Sequence, residues 1–90
     1  MNIEFSATAS DDGMSFASLY FEGMKSYVIN MELAYRPAEK NCLHGRIKSI
    51  SVTDTVAHCE CDEKGFRTKG DLQTRKRVRE IYDWCIEHFN

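Results

Sequence analysis

The chain is expected to adopt an α+β fold: an antiparallel β-meander of four to five strands, with one C-terminal amphipathic helix packed on one face. Three features carry this expectation. Asn2–Ala9 and Ser26–Tyr35 alternate apolar and polar residues, the period of a half-buried strand. Asp11-Asp12-Gly13 separates two strand-like runs, and an Asp-Gly pair in that setting is a hairpin signal. From Asp71 to Phe89 the apolar period lengthens to that of a helix. Ninety residues fit one small globular domain, with the sheet over about 2–61, a linker over 62–70 and the helix over about 71–89.

In the first run Ile3, Phe5 and Ala7 point one way and Glu4, Ser6 and Thr8 the other. Met14 to Glu22 reads as the second strand, although both faces are partly apolar: Phe16 and Tyr20 line one, Leu19 and Phe21 the other. A helix over Phe16–Phe21 is the alternative reading of that short apolar run. Glu22-Gly23-Met24-Lys25 forms the next turn. Ser26–Tyr35 is the best strand, with Tyr27, Ile29, Met31, Leu33 and Tyr35 on one face, and a central position is expected for it. Arg36-Pro37 ends it, because proline lacks a ladder donor and restricts the residue before it.

Leu43 to Val52 is strand-like but changes phase. Leu43, Gly45 and Ile47 share one parity and Ile50 and Val52 the other, so a bulge or bend near Lys48-Ser49 is expected. Thr53-Asp54 reads either as a tight turn or as mid-strand, and Thr55–Cys61 continues as strand. Asp62-Glu63-Lys64-Gly65 is turn chemistry, followed by a polar linker in which Phe66 is the lone apolar residue. Asp71 is the expected N-cap of the helix. Val78, Ile81, Tyr82, Cys85 and Phe89 form its inner stripe, opposite Lys76, Glu80, Asp83 and Glu87.

With 42% hydrophobic and 11% aromatic residues, the composition is that of a folded domain and not of a disordered chain. No apolar run approaches the roughly 18 residues of a membrane span, so no membrane association is expected. Met1-Asn2-Ile3-Glu4 shows no basic region ahead of an apolar block, so a cytoplasmic location with four reduced thiols is expected.

Candidate chemistry is sparse. Cys42-Leu43-His44 and His58-Cys59-Glu60-Cys61 place zinc-type ligands in two clusters, and Cys42, His44, Cys59 and Cys61 are the candidates for a small zinc-stabilised domain. Ligands two apart on a strand have roots about 6.5–7 Å apart, wide for one tetrahedral ion, so small buried side chains are the favoured reading. Cys59-x-Cys61 lacks the helix N-terminus that activates redox thiols. No phosphate loop, nucleophile elbow or paired-carboxylate motif is present, so neither enzymatic activity nor a cofactor is expected.

The distribution of charge is more informative. Residues 1–45 hold three basic and six acidic side chains, whereas residues 64–79 hold seven basic and one acidic. Arg75, Lys76, Arg77 and Arg79 crowd the first half of the helix, while Asp83 and Glu87 follow towards its end. That order opposes the helix dipole, at about 0.3–1 kcal/mol per well-placed charge. A local rule broken without evident gain marks a place for function.

The sequence therefore points to a small non-catalytic interaction module of adaptor or inhibitor type. It would dock another protein's acidic surface through Arg67, Lys69, Arg75, Lys76, Arg77, Arg79 and Trp84. Trp84 falls at the border of the inner stripe, on an edge with Arg77 and His88. Nucleic-acid binding through Lys64–Arg79 is the alternative, weakened by a pI of about 5.9. A homodimer that pairs sheet edges or buries Trp84 is a further expectation.

Overall fold

The computed structural model describes residues 1–90. The alternating runs assemble into one antiparallel sheet of β1 (Ser6–Ser10), β2 (Gly13–Glu22), β3 (Lys25–Ala34), β4 (Ile47–Thr53), β5 (His58–Asp62) and β6 (Gly65–Lys69), followed by α1 (Leu72–Phe89). The strands lie side by side in chain order, which makes the sheet a plain meander. Strand periodicity decides its two faces. Tyr27, Ile29, Met31 and Leu33 of β3, Ile47, Ile50 and Val52 of β4, and Cys59 and Cys61 of β5 point to one side and are buried. There they meet Val78, Ile81, Tyr82 and Cys85 of α1. The helix rests over β4 and β5, and Phe5 and Phe16 meet its last turn through Phe89, with ring centroids 5.3 and 5.4 Å from that ring.

The α+β architecture is as expected, and the strand count is six, not four to five. The additional strand lies where a linker over 62–70 was expected: Asp62 pairs with Gly65, and Gly65–Lys69 runs back along β5. All five residues of β6 are exposed, because it is an edge strand with short cover, so no alternation marked it. β1 begins at Ser6 and not at Asn2, although Ile3 and Phe5 still pack against the core. Met14–Glu22 is strand throughout, which removes the helical alternative. The phase change in β4 is a bulge at Lys48: Leu33 faces Ile47 and Glu32 faces Ser49, leaving Lys48 over. Cys42–His44 is not strand but a single 3-10 turn, with Leu43 and His44 at positive φ. β4 ends at Thr53, and Asp54 N–H donates to the Ala57 carbonyl across a tight loop.

Two contacts set the helix on the sheet. Gly70, at φ +122°, joins β6 to α1 so closely that a Cβ there would sit 2.4 Å from that of Ala57. At the other end Asn90 accepts from Ile47 N–H (2.8 Å) and donates to the Cys42 carbonyl (2.9 Å).

Candidate functional site

Asp71 caps α1 by accepting from Thr74 N–H at 3.2 Å, and no acidic side chain follows in the first turn. The capping bond holds the Asp71 carboxyl below its ordinary range. The dipole's positive end therefore faces a cationic cluster, as the sequence indicated.

The structure divides the seven basic residues of 64–79 into two groups. Arg67 bonds Glu60 (Nε to Oε1, 3.0 Å) and Asp62 (2.7 Å) across the β5–β6 hairpin. Arg77 grips Glu22 at the end of β2 with both edges of its guanidinium and reaches Glu80 at 3.3 Å. Arg79 pairs with Asp83 at 2.9 Å and lies over the Phe66 ring at 4.6 Å. These three are held by the protein's own carboxylates. Lys64, Lys69, Arg75 and Lys76 have no ion-pair partner.

The groups meet at a shallow groove of about 180 Å³ between β6 and the first half of α1, lined by Phe66, Thr68, Leu72, Arg75, Lys76 and Arg79. Phe66 reaches it because β6 turns that residue to the helix side, where its ring meets Tyr82 edge-on at 5.5 Å. Leu72 stands 73% exposed at the helix start. The groove thus has apolar surface within reach of two unpaired cations. Lys69 lies on β6 opposite His58 and belongs to the other face of the sheet, as does Arg67 opposite Glu60.

Trp84 is not part of this groove. At about 100° per residue it lies about 140° around the helix from Arg79. It is half-buried, stacks on His88 at 4.0 Å, and meets Phe89 edge-on. The helix residues expected to dock therefore fall on two flanks of α1, with Arg77 and Trp84 on one and Arg75 and Arg79 on the other.

Of the zinc candidates only Cys42 and Cys61 come together, side chain against side chain. Cys59 and Cys61 point into the core, and Cys42 Sγ donates to the Lys48 carbonyl at 4.0 Å. His44 is exposed on its left-handed turn, not on a strand beside Cys42 as expected, and no three potential ligands share a site. Burial pushes the thiols up, Cys42 to about 12, Cys59 to about 11 and Cys85 to about 12, so they are protonated at neutral pH.

The largest cavity is one that sequence reasoning missed. The face of the sheet away from α1 carries an open trough of about 460 Å³ lined by Ser6, Thr8, Ser15, Asn30, Glu32 and Ser49, among others. Its signal in the sequence is small hydroxyl residues at outward positions of β1, β2 and β4, beside Asn30 and Glu32 of β3 and Glu60 and Asp62 of β5. Beyond it on the same face, Leu19, Phe21 and Val28 are exposed.

No known protein family, curated protein or solved structure matches the chain. No helix is long and apolar enough to cross a membrane.

Proposed function

We propose that this chain is a non-catalytic protein-interaction module that docks an acidic segment of a partner through the groove between β6 and α1. One observation carries the reading: Arg75 and Lys76 are unpaired beside exposed Phe66 and Leu72, while Arg67, Arg77 and Arg79 are all neutralised internally. Unpaired cations clustered at the positive end of a helix destabilise the free protein. An acidic partner removes that cost. Long-range attraction brings the partner to the groove, and burial of apolar side chains against Phe66 and Leu72 holds it there. The complementary ligand is an acidic segment bearing an apolar side chain. An adaptor or inhibitor of this kind acts by occupying its partner's surface, and the groove residues need no catalytic group.

The test titrates a fluorescent acidic peptide carrying Glu and Leu against the protein and against an Arg75→Glu/Lys76→Glu variant. The expected results are binding that weakens as salt rises, and a loss of at least about tenfold on charge reversal, since about 1.4 kcal/mol is a factor of ten. Trp84→Ala, on the other flank, should leave the affinity unchanged. Equal binding by the charge-reversed variant would overturn the reading. Tight, steeply salt-dependent binding of duplex DNA in place of the peptide would replace it with nucleic-acid recognition.

A further inference from the structure

The two edges of the sheet are treated differently. β6 carries Arg67 and Lys69, charges of the kind that discourage another strand from adding to an edge. β1 carries no charge, proline or bulge; all five of its residues are exposed, and it pairs only with β2. Its sequence, Ser6-Ala7-Thr8-Ala9-Ser10, reads the same in both directions. Turned through a two-fold rotation about its centre, such a strand sets each residue against one of its own kind.

The backbone meets the same condition. The first hairpin closes on the Ser10–Gly13 pair, and hydrogen-bonded and non-bonded pairs alternate from there. Ser6, Thr8 and Ser10 thus turn their N–H and C=O groups towards β2, and Ala7 and Ala9 turn theirs outward. An antiparallel partner centred on Thr8 sets Ala7 against Ala9 of the second copy, so outward groups meet outward groups on both sides. Moving the centre by half a residue would set outward groups against groups already used by β2. In the matched register Ser6 faces Ser10 of the second copy, and the two Thr8 residues face each other on the axis. Every side chain within the five paired residues is small.

We infer that a second copy of this chain pairs with β1 about a two-fold axis at Thr8, joining the two sheets into one. The contact is isologous and closes on itself. It leaves the groove between β6 and α1 free at both outer ends, and it brings the two hydroxyl-lined troughs together across the axis, because Ser6 and Thr8 line each of them.

Sedimentation of the full chain tests this together with single cysteine variants. Thr8→Cys places two thiols in a non-bonded pair about 4.5 Å apart at Cα, within the disulfide span of about 4.4–6.8 Å. Ser6→Cys places them about 13 Å apart along the strands. The four native thiols are buried and stay silent. The expected outcome is a concentration-dependent dimer, rapid disulfide dimerisation of Thr8→Cys but not of Ser6→Cys, and a shift to monomer in Thr8→Lys. Circular dichroism checks that these exposed substitutions leave the fold intact. A chain that stays monomeric at millimolar concentration overturns the inference. So does a dimer unaffected by Thr8→Lys, or one in which Ser6→Cys cross-links as fast as Thr8→Cys.

Discussion

Replacing Arg77 with alanine is expected to separate structural from docking arginines. Arg77 spans the joint between α1 and the end of β2: its Nε donates to Glu22 Oε1 at 2.8 Å, and a second nitrogen donates to Oε2. Tyr20 O–H donates to the same carboxylate at 3.1 Å. The Arg77 and Glu22 side chains are 33% and 27% exposed, between the buried and surface cases. Surface pairs contribute up to about 1 kcal/mol, and hydrogen bonds to charged groups about 1.5–3 kcal/mol. Screening by the remaining solvent sets the expected cost of Arg77→Ala at about 2 kcal/mol. For a domain of this size that is a fall in Tm of about 8–16 °C. Arg75→Ala and Lys76→Ala, which break no pair, should stay within about 0.5 kcal/mol.

Urea unfolding with a Glu22→Gln double-mutant cycle measures the pair itself. The pH dependence supplies an independent reading. The Arg77 hydrogen bond holds the Glu22 carboxyl below its ordinary value of 4.5. A depressed carboxyl contributes stability that is present above its unfolded pKa and is lost as pH falls through the folded one. The gap between wild type and Arg77→Ala should therefore narrow as pH drops below 4.5. Additive single mutants, a pH-independent gap, or an Arg75→Ala cost equal to that of Arg77→Ala would refute the assignment.

Two further outcomes follow from the core. Asn90→Ala removes the acceptor of Ile47 N–H and the donor to the Cys42 carbonyl, so a cost of about 1–3 kcal/mol is expected. Amide exchange at Ile47 should accelerate more than at neighbouring positions, and unchanged exchange there would reject the clamp. The buried thiols should resist a disulfide reagent in the native protein at neutral pH and react only with denaturant present. Because burial raises Cys42, Cys59 and Cys85 above their ordinary value of 9.0, their protonation stabilises the fold below that pH, and stability should fall as pH rises past it. Rapid labelling of a native thiol at neutral pH would contradict their placement.

The helix was legible because each residue of its inner stripe follows from a period of 3.6, and Val78, Ile81, Tyr82 and Cys85 are all buried. The bulge at Lys48 was legible from a change of parity alone. β6 was not, since a strand exposed throughout writes no period into its sequence. Nor was the left-handed turn at Leu43 and His44, two residues without the freedom of glycine; it is held from outside by Asn41, whose amide donates to the Gly45 carbonyl at 3.0 Å. The basic cluster was visible, and helix spacing offers Asp83 to Arg79, but the rest of its division was not legible. Arg77 finds its carboxylate 55 residues earlier in the chain, and Arg67 finds its two only through the register of the unseen hairpin. The trough was hidden for a related reason: a serine on a strand's outer side reads as a plain solvent position until neighbouring strands are aligned beside it.

The meander has a consequence for synthesis of the chain. Each strand pairs with the one made just before it, so the sheet can assemble as the chain emerges, with short loops to close at every step but the one from β3 to β4. Its cover comes last. Until residues 72–89 leave the ribosome, Tyr27, Ile29, Met31, Ile50 and Val52 face water on a finished surface that attracts chaperones and other nascent chains. The close link at Gly70 keeps the final search short, because the helix emerges already tethered beside the strands it must cover. A longer joint there would leave the sheet in hand intact and lengthen the time for which it is sticky.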